Sequence, residues 1–187
     1  NAQSRSLEEV FIRNGLPYTV VGGTRFYERR EIKDTIAYLR ALANPNDDVS
    51  VRRILNVPKR GIGDRAEAML AAFSDREQIP FRVAIARCEE VPGLAARSLL
   101  QVRNFHQMLE VLSALVDSGV GPATVMQAVL EQSGYLAELS ASTDPQDETR
   151  IENIAEFESV ASEYEQNRAN VTAEDLQSLA PAEPGDD

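Results

Sequence analysis

The sequence predicts a mainly α-helical protein, a helical bundle preceded by a short α/β segment. From residue 29 onward, apolar residues recur at spacings of three and four, the periodicity of amphipathic helices. Glycine and proline separate these periodic segments at short intervals. The one strand-type run is 18–21, which follows a helical pattern at 6–14 and ends at two glycines. Since one strand cannot form a sheet, we expect this first segment to belong to an α/β domain that lies mostly outside the chain.

Each predicted helix of the bundle has its own boundary signal. Asn44 and Pro45 end the first helix, because proline cannot continue it. Gly119 and Gly121 end the longest helix, and Pro122 at a first turn starts the next. Residues 142–147 are predicted to form a linker, and residues after 166 are acidic and weakly periodic, which is typical of disorder. The predicted helices are 32–43, 49–55, 66–73, 81–90, 94–116, 122–139 and 150–164.

The composition restricts the class of protein. The 187 residues include one cysteine and one histidine, and the net charge is −11. A single cysteine excludes a disulfide within the chain. One cysteine and one histidine are also too few for a zinc site built from several such ligands, so we expect no metal. The sequence has no apolar run of about 18 residues and no leader pattern. We therefore expect a cytoplasmic protein with no membrane partner.

The stretch 54–65 carries the strongest functional pattern. Its two glycines let the backbone approach a ligand closely. The helix predicted after them directs free N–H groups and its positive dipole end at the turn, where an anion is favoured. The turn and the residues beside it include Lys59, Arg60, Gly61, Ile62, Gly63 and Arg65. The pattern is typical of a helix-hairpin-helix, which binds duplex DNA through its phosphates; the alternative is a tight turn with its arginines on a solvated face.

The distribution of charge favours the DNA interpretation. Residues 1–65 carry 12 basic and 8 acidic side chains, whereas residues 66–187 carry 7 and 22. The basic excess therefore lies in the part of the chain that contains the turn, although the whole chain is acidic.

Several stretches, in one order, resemble the superfamily 1 DNA helicases of the UvrD/PcrA/Rep family, at the end of motor subdomain 2A and in the inserted subdomain 2B. They are Asn1-Ala2-Gln3-Ser4-Arg5, Pro17-Tyr18-Thr19-Val20-Val21-Gly22-Gly23, Arg25-Phe26-Tyr27-Glu28-Arg29 with Glu31-Ile32-Lys33-Asp34, Ala37-Tyr38-Leu39-Arg40, Asn44-Pro45 with Asp47-Asp48, the turn at 58–63 and Thr149-Arg150-Ile151-Glu152-Asn153 with Glu156. The resemblance is close over about residues 1–65 and looser beyond. It implies a piece of the RecA-like 2A subdomain at 1–28, a 2B-like bundle at 29–166 and an acidic tail at 167–187.

The resemblance also implies roles for particular residues. Asn1 matches a position near single-stranded DNA, and the turn matches the family's duplex-gripping element, with Ile62 packed inward. The segment from Phe26 to Asp34 resembles the hinge between 2A and 2B. Its members are Phe26, Tyr27, Glu28, Arg29, Glu31 and Lys33, of which the two aromatic residues are expected to pack rather than stack on bases, and Glu31 and Lys33 to be surface charges or interdomain partners. A capping box from Thr149 to Glu152 is expected to start a helix near the hinge.

The function that the resemblance implies is that of a regulatory, duplex-contacting subdomain of an ATP-dependent 3′–5′ helicase in DNA repair. The sequence has no Gly-x-x-x-x-Gly-Lys-Ser/Thr loop, so ATP and magnesium would bind elsewhere in the parent protein, and the fragment itself should be inactive and free of cofactors. The alternative is a protein-interaction module that docks repair or transcription proteins or mediates dimerisation without touching DNA.

Cys88 has two interpretations. It shares a predicted helix face with Phe81, Ala84 and Ile85, which favours a small buried residue. It also falls in the last turn of that helix beside Glu89 and Glu90. A thiol exposed there could form a redox-dependent disulfide only with a second copy of the chain.

Overall fold

The computed structural model describes residues 25–178, with side chains through residue 167, and this part of the chain is helical without a strand. The mainly α-helical prediction is confirmed. Asn1, the predicted α/β segment and residues 179–187 lie outside the described residues. Numbered within them, the helices are α1 (Arg30–Ala43), α2 (Asp48–Ile54), α3 (Asp64–Glu77), α4 (Phe81–Ala86), α5 (Ala96–Asp117), α6 (Pro122–Gln132), α7 (Tyr135–Ala141) and α8 (Pro145–Ser178). A 3-10 turn, Cys88–Glu90, follows α4.

Helix α1 is the centre of the bundle. Of its 14 residues only Arg30, Lys33 and Ala43 are exposed. One side of α1 contributes to a large apolar cluster shared with α2 to α6, and another side contributes to a smaller cluster shared with α6, α7 and α8. Because each fully buried aliphatic or aromatic side chain stabilises the fold by about 1.5–3 kcal/mol, these clusters fix the bundle around α1. The smaller cluster consists of Phe26, Ile32, Ile36, Met126, Leu130, Tyr135, Leu139, Ile154 and Phe157.

Two predicted helices are interrupted. The predicted helix 81–90 ends at Ala86, and Arg87 leaves helical geometry before the 3-10 turn. The predicted helix 122–139 breaks at Gly134, whose φ of +75° lies in the left-handed region that favours glycine. The break creates α7 as a separate short helix. It packs against α6 and α8 and lies beside the turn at 54–65.

The last helix is longer at both ends than the sequence predicts. It begins at Pro145, where the Asp144 carboxylate accepts a hydrogen bond from the Gln146 N–H at 2.9 Å. The expected capping box from Thr149 to Glu152 is therefore wrong, because both residues lie inside α8 and Asp144 provides the cap. At the other end the backbone is helical through Ser178, over residues for which the composition predicted disorder.

A carboxylate of α8 caps the start of α6. The Glu165 Oε1 accepts a hydrogen bond from the Ala123 N–H at 2.9 Å, which satisfies one free donor of the helix terminus. A Cβ at Gly121 would lie 1.8 Å from this oxygen, so a larger residue there would displace the carboxylate. None of the helices within residues 25–178 is long and apolar enough to cross a membrane.

Cys88 is part of the large apolar cluster, with only 3% of its surface exposed. The intermolecular disulfide is therefore not supported, because it would need the sulfur at the surface of both copies. Burial, and next the Glu89 carboxylate, raise the pKa of the Cys88 thiol and so lower its thiolate fraction.

We expect the thiol of Cys88 to be protected in the folded chain. Its reaction with Ellman's reagent should be slow in buffer and fast in urea, because unfolding both exposes the sulfur and removes the barrier to ionisation. Non-reducing electrophoresis after mild oxidation should show only monomer. A band at twice the monomer mass that disappears in Cys88→Ala would contradict the buried placement.

Candidate nucleic-acid interface

The turn between α2 and α3 has the shape that its glycines predict. Gly61 has a φ of +79°, in the left-handed region, so a side chain at this position would strain the backbone. Gly63 is extended and is the N-cap of α3, and its carbonyl accepts hydrogen bonds from the N–H groups of Ala66 and Glu67. The two glycines therefore differ in role: only Gly61 needs glycine for its backbone angles.

Asn56 holds the turn from the inside. Its Oδ1 accepts hydrogen bonds from the Arg60 N–H at 2.8 Å and the Ile62 N–H at 3.3 Å. Ile62 is buried in the large cluster, which agrees with the inward packing expected of it. Alternate N–H groups of the turn thus point inward at Asn56. The amide of Asn56 was not identified as functional from the sequence, because an asparagine near a turn has many local hydrogen-bonding options.

The remaining N–H groups face solvent. Within the described residues, the backbone N–H groups of Gly61, Gly63, Asp64 and Arg65 have no hydrogen-bond acceptor, and these four residues are exposed. Unpaired N–H groups at the start of a helix, with the positive end of its dipole, favour an anion. The exposed side chains of Lys59 and Arg65 add positive charge beside them. The surface formed by Lys59, Gly61, Gly63, Asp64 and Arg65 is called the turn surface below.

Arg60 points away from this surface. Its Nη1 donates hydrogen bonds to the carbonyl oxygens of Ile54 at 2.9 Å and Pro58 at 3.2 Å. Its Nη2 donates to the hydroxyl of Tyr38 and to the Ser133 carbonyl at 3.5 Å. The guanidinium also lies over the Phe105 ring, 5.1 Å from its centre. Arg60 therefore joins the turn to the bundle.

Tyr38 completes this inner network. Burial raises the pKa of the Tyr38 hydroxyl even though the Arg60 guanidinium acts in the opposite direction. The hydroxyl stays protonated at neutral pH, donates to the Val57 carbonyl at 2.5 Å and accepts from Arg60. The turn is thereby attached to the central helix α1.

Three carboxylates lie at the edge of the turn surface. Asp64 and Glu67 are in the first turn of α3. Glu138 of α7 accepts a hydrogen bond from the Lys59 backbone N–H at 3.0 Å. Negative charge here weakens the attraction for an anion, so the turn surface is less positive than its glycines, lysine and arginine alone suggest.

The segment predicted to be a hinge is packed against α8. Phe26 is buried, and its ring lies 6.5 Å from that of Phe157 and 5.3 Å from that of Tyr27. The expectation that the two aromatic residues pack is confirmed. Glu28, Arg29 and Lys33 are exposed.

The expectation that Glu31 is a surface charge is wrong. Its side chain is buried, and its Oε1 accepts a hydrogen bond from the Asn153 Nδ2 at 2.6 Å. The Oδ1 of Asn153 in turn accepts from the Arg29 guanidinium. An unpaired buried carboxylate is strongly unfavourable, so these contacts fix the start of α1 to α8.

A second buried carboxylate, Asp34, was not identified from the sequence. It accepts hydrogen bonds from the Arg53 Nε at 2.8 Å and the Tyr135 hydroxyl at 2.9 Å, and the Arg30 Nε lies 3.7 Å away. Burial, and next the Asp34 charge, raise the pKa of Tyr135, so the hydroxyl remains a donor. Asp34 thus connects α1 to α2, which leads into the turn, and to α7, which contacts the turn through Glu138. Among the side chains described, residues 25–167, no group of three or more His, Cys, Asp or Glu could hold a metal ion.

Comparison with known proteins identifies the family to which the chain belongs. The family model of the UvrD-like helicase C-terminal domain matches residues 1–88. The chain is 49% identical over 175 residues to the ATP-dependent DNA helicase UvrD1 of Mycobacterium tuberculosis, covering 92% of the chain and 22% of the relative. It is 38% identical over 172 residues to the ATP-dependent DNA helicase PcrA of Bacillus subtilis, covering 92% and 23%.

The chain is thus a segment of a UvrD-like helicase. It belongs to the UvrD/PcrA family of superfamily 1 helicases, as its motifs predicted, and spans about a fifth of the length of these relatives.

Substitutions of Arg60 and of Lys59 should differ sharply in their effect on the free energy of unfolding. We expect Arg60→Ala to lower the free energy of unfolding by about 2–4 kcal/mol, because it removes the donor of the inward Pro58 carbonyl and the packing over the Phe105 ring. Arg60→Lys should recover little of this loss, since an ammonium group lacks the planar fork of donors. Lys59→Ala should change stability by about 0.5 kcal/mol or less. Urea denaturation followed by circular dichroism measures all three, and equal stability of Arg60→Ala and wild type would contradict the inward role.

Proposed function

We propose that this chain is the 2B-type subdomain of an ATP-dependent 3′–5′ DNA helicase acting in DNA repair, and that it contacts duplex DNA through the turn surface. The observation that supports the proposal most is the set of outward N–H groups at Gly61, Gly63, Asp64 and Arg65. Asn56 supports the turn from inside through the N–H groups of Arg60 and Ile62. Backbone donors and helix termini bind phosphate without reading base identity. The contact is therefore independent of sequence.

Within the proposed contact, Lys59 and Arg65 attract phosphate as exposed charges, and Gly61 and Gly63 allow the duplex to approach. Ile62 supports the turn from the core. The geometry favours a supporting role for Arg60 as well, because its donors are engaged within the fold. This assignment differs from the sequence analysis, in which Arg60 was expected to contact DNA.

The chemistry of the parent protein would lie outside this chain. Both relatives are ATP-dependent DNA helicases by name. We propose that ATP and magnesium bind to other parts of the parent, that Asn1 lies near single-stranded DNA, that repair or transcription proteins are further partners, and that the protein acts in the cytoplasm. Residues 1–28 would belong to subdomain 2A and residues 29–166 to subdomain 2B.

We further propose that the junction with 2A ends where the bundle begins. Phe26 packs against α8, and Arg29 and Glu31 are bonded to Asn153. A rotation of 2B that left these contacts intact would have to pivot before Phe26. The exposed side chains of Glu28 and Lys33 remain proposed contacts with 2A.

We expect weak duplex binding by the chain, with a dissociation constant of about 1 μM or weaker at physiological salt. Replacing Lys59 and Arg65 together by alanine should lower the affinity. It should also reduce the slope of log K against log salt by about 1.8, because each phosphate contact contributes about 0.9. Fluorescence anisotropy of a labelled duplex at several salt concentrations measures both quantities.

The matched control is the double variant Arg97→Ala with Arg103→Ala on α5, which removes the same charge from exposed positions away from the turn. The control should bind more tightly than the turn variant and keep the wild-type slope. A protein-interaction module without a DNA site would show no salt-dependent binding in any variant. Equal losses in both double variants would show that DNA is held elsewhere.

We expect no ATP hydrolysis by the chain, with or without single-stranded DNA. Phosphoryl transfer requires positioned phosphate-binding and metal-binding groups, and the sequence contains no phosphate-binding loop. Phosphate release can be compared with that of a full-length PcrA as the positive control. DNA-stimulated release that persists through further purification would contradict the assignment.

A further inference from the structure

Glu138 contacts the turn surface directly. Its Oε2 accepts the hydrogen bond of the Lys59 backbone N–H at 3.0 Å, although the two residues are 79 positions apart in the chain. We propose that the Glu138 carboxylate occupies one anion position of the turn and competes there with a DNA phosphate. The inference rests on the proposed function, since it concerns the same surface, and it assigns to α7 a role that limits DNA affinity.

The position of Glu138 is fixed by the helix that carries it. Helix α7 begins at Tyr135, after the N-cap Gly134, and three contacts in and beside it hold it in place. The Tyr135 hydroxyl donates to the buried Asp34 at 2.9 Å, the Ser133 carbonyl accepts from Arg60, and Leu139 is buried in the smaller cluster. Residues three apart on a helix lie on the same face. Tyr135, anchored to Asp34, therefore directs Glu138 toward the turn.

The chemistry of the contact favours competition. A carboxylate and a phosphate are both anionic acceptors for a backbone N–H group, and two such groups cannot share one donor without repulsion. Glu138 is exposed, and within the described residues this bond is the one hydrogen bond that its carboxylate makes. A phosphate can therefore displace it without breaking another contact. Its charge nonetheless remains close to the bound DNA and reduces affinity.

The test compares duplex binding by four forms of the 187-residue chain: wild type, Glu138→Gln, Glu138→Asp and Glu131→Gln. The probe is a fluorescein-labelled blunt duplex, measured by anisotropy from low to physiological salt. Glu131→Gln is the matched control, because it removes the same charge from an exposed position on α6. Glu138→Asp keeps the charge but shortens the side chain by one methylene, which breaks the bond to Lys59 with little change in net charge.

We expect Glu138→Gln to bind the duplex about two- to fivefold more tightly than Glu131→Gln, the range typical of one exposed charge pair. Glu138→Asp should lie between Glu138→Gln and wild type. In the background of Lys59→Ala with Arg65→Ala, the gain from Glu138→Gln should shrink, because the phosphate site is weakened.

The proposed competition would be overturned if Glu138→Gln and Glu131→Gln bound the duplex with equal affinity. If the double variant Lys59→Ala with Arg65→Ala still lost affinity as expected, the proposed function would remain intact. Loss of salt-dependent binding in every form would instead overturn the proposed function. Thermal unfolding by circular dichroism confirms that the variants are folded. If Glu138→Gln fails to fold, Glu138→Asp decides, and an affinity no higher than wild type would count against the proposal.

Discussion

The structure around the turn depends on the hydrogen bonds that the Arg60 guanidinium donates. The carbonyl of Pro58 points into the bundle and accepts a hydrogen bond from Arg60, and an unpaired buried carbonyl would be costly. Arginine supplies several N–H donors in a fixed plane, and this plane also lies over the Phe105 ring. With the inward carbonyls satisfied, the outward N–H groups at Gly61 and Gly63 are left for solvent or a ligand. The outward-facing N–H groups of the turn are thus a consequence of how its other side is paired.

Two buried carboxylates extend this constraint along α1. Glu31 is bonded to Asn153, and Asp34 is bonded to Arg53 and Tyr135. Buried ion pairs contribute little net stability compared with apolar packing, but removing one partner is strongly destabilising. Their effect is therefore to fix which helices adjoin α1 and in what orientation. Asp34 holds α2 and α7 against α1, and Tyr38 of α1 bonds to the turn itself, so α1 positions both the turn and the two helices beside it.

The sequence predicted most of the helices and their order, because apolar periodicity indicates which face of each helix is buried. It also predicted the glycine turn at 58–63 and the family, although only the structure distinguishes left-handed Gly61 from extended Gly63. It did not predict that Arg60 turns inward, since a long cationic side chain can bury its stem or face water from the same position. Glu31 was misassigned for the same reason: periodicity does not reveal an asparagine 122 residues away. The break at Gly134 lies inside a continuous apolar pattern, so only the positive φ identifies it.

The arrangement of charge fits a contact that is made and released repeatedly. The turn surface offers backbone donors and two exposed cations, but Asp64 and Glu138 adjoin it and the remainder of the chain is acidic. A larger basic surface would bind duplex more tightly, because affinity rises with each phosphate neutralised. A motor that advances along DNA needs its accessory contacts to dissociate at every step, and dissociation slows as affinity rises. On the function proposed here, acidic residues at the edge of a phosphate-binding turn are therefore part of the site, since they keep its contact with DNA short-lived.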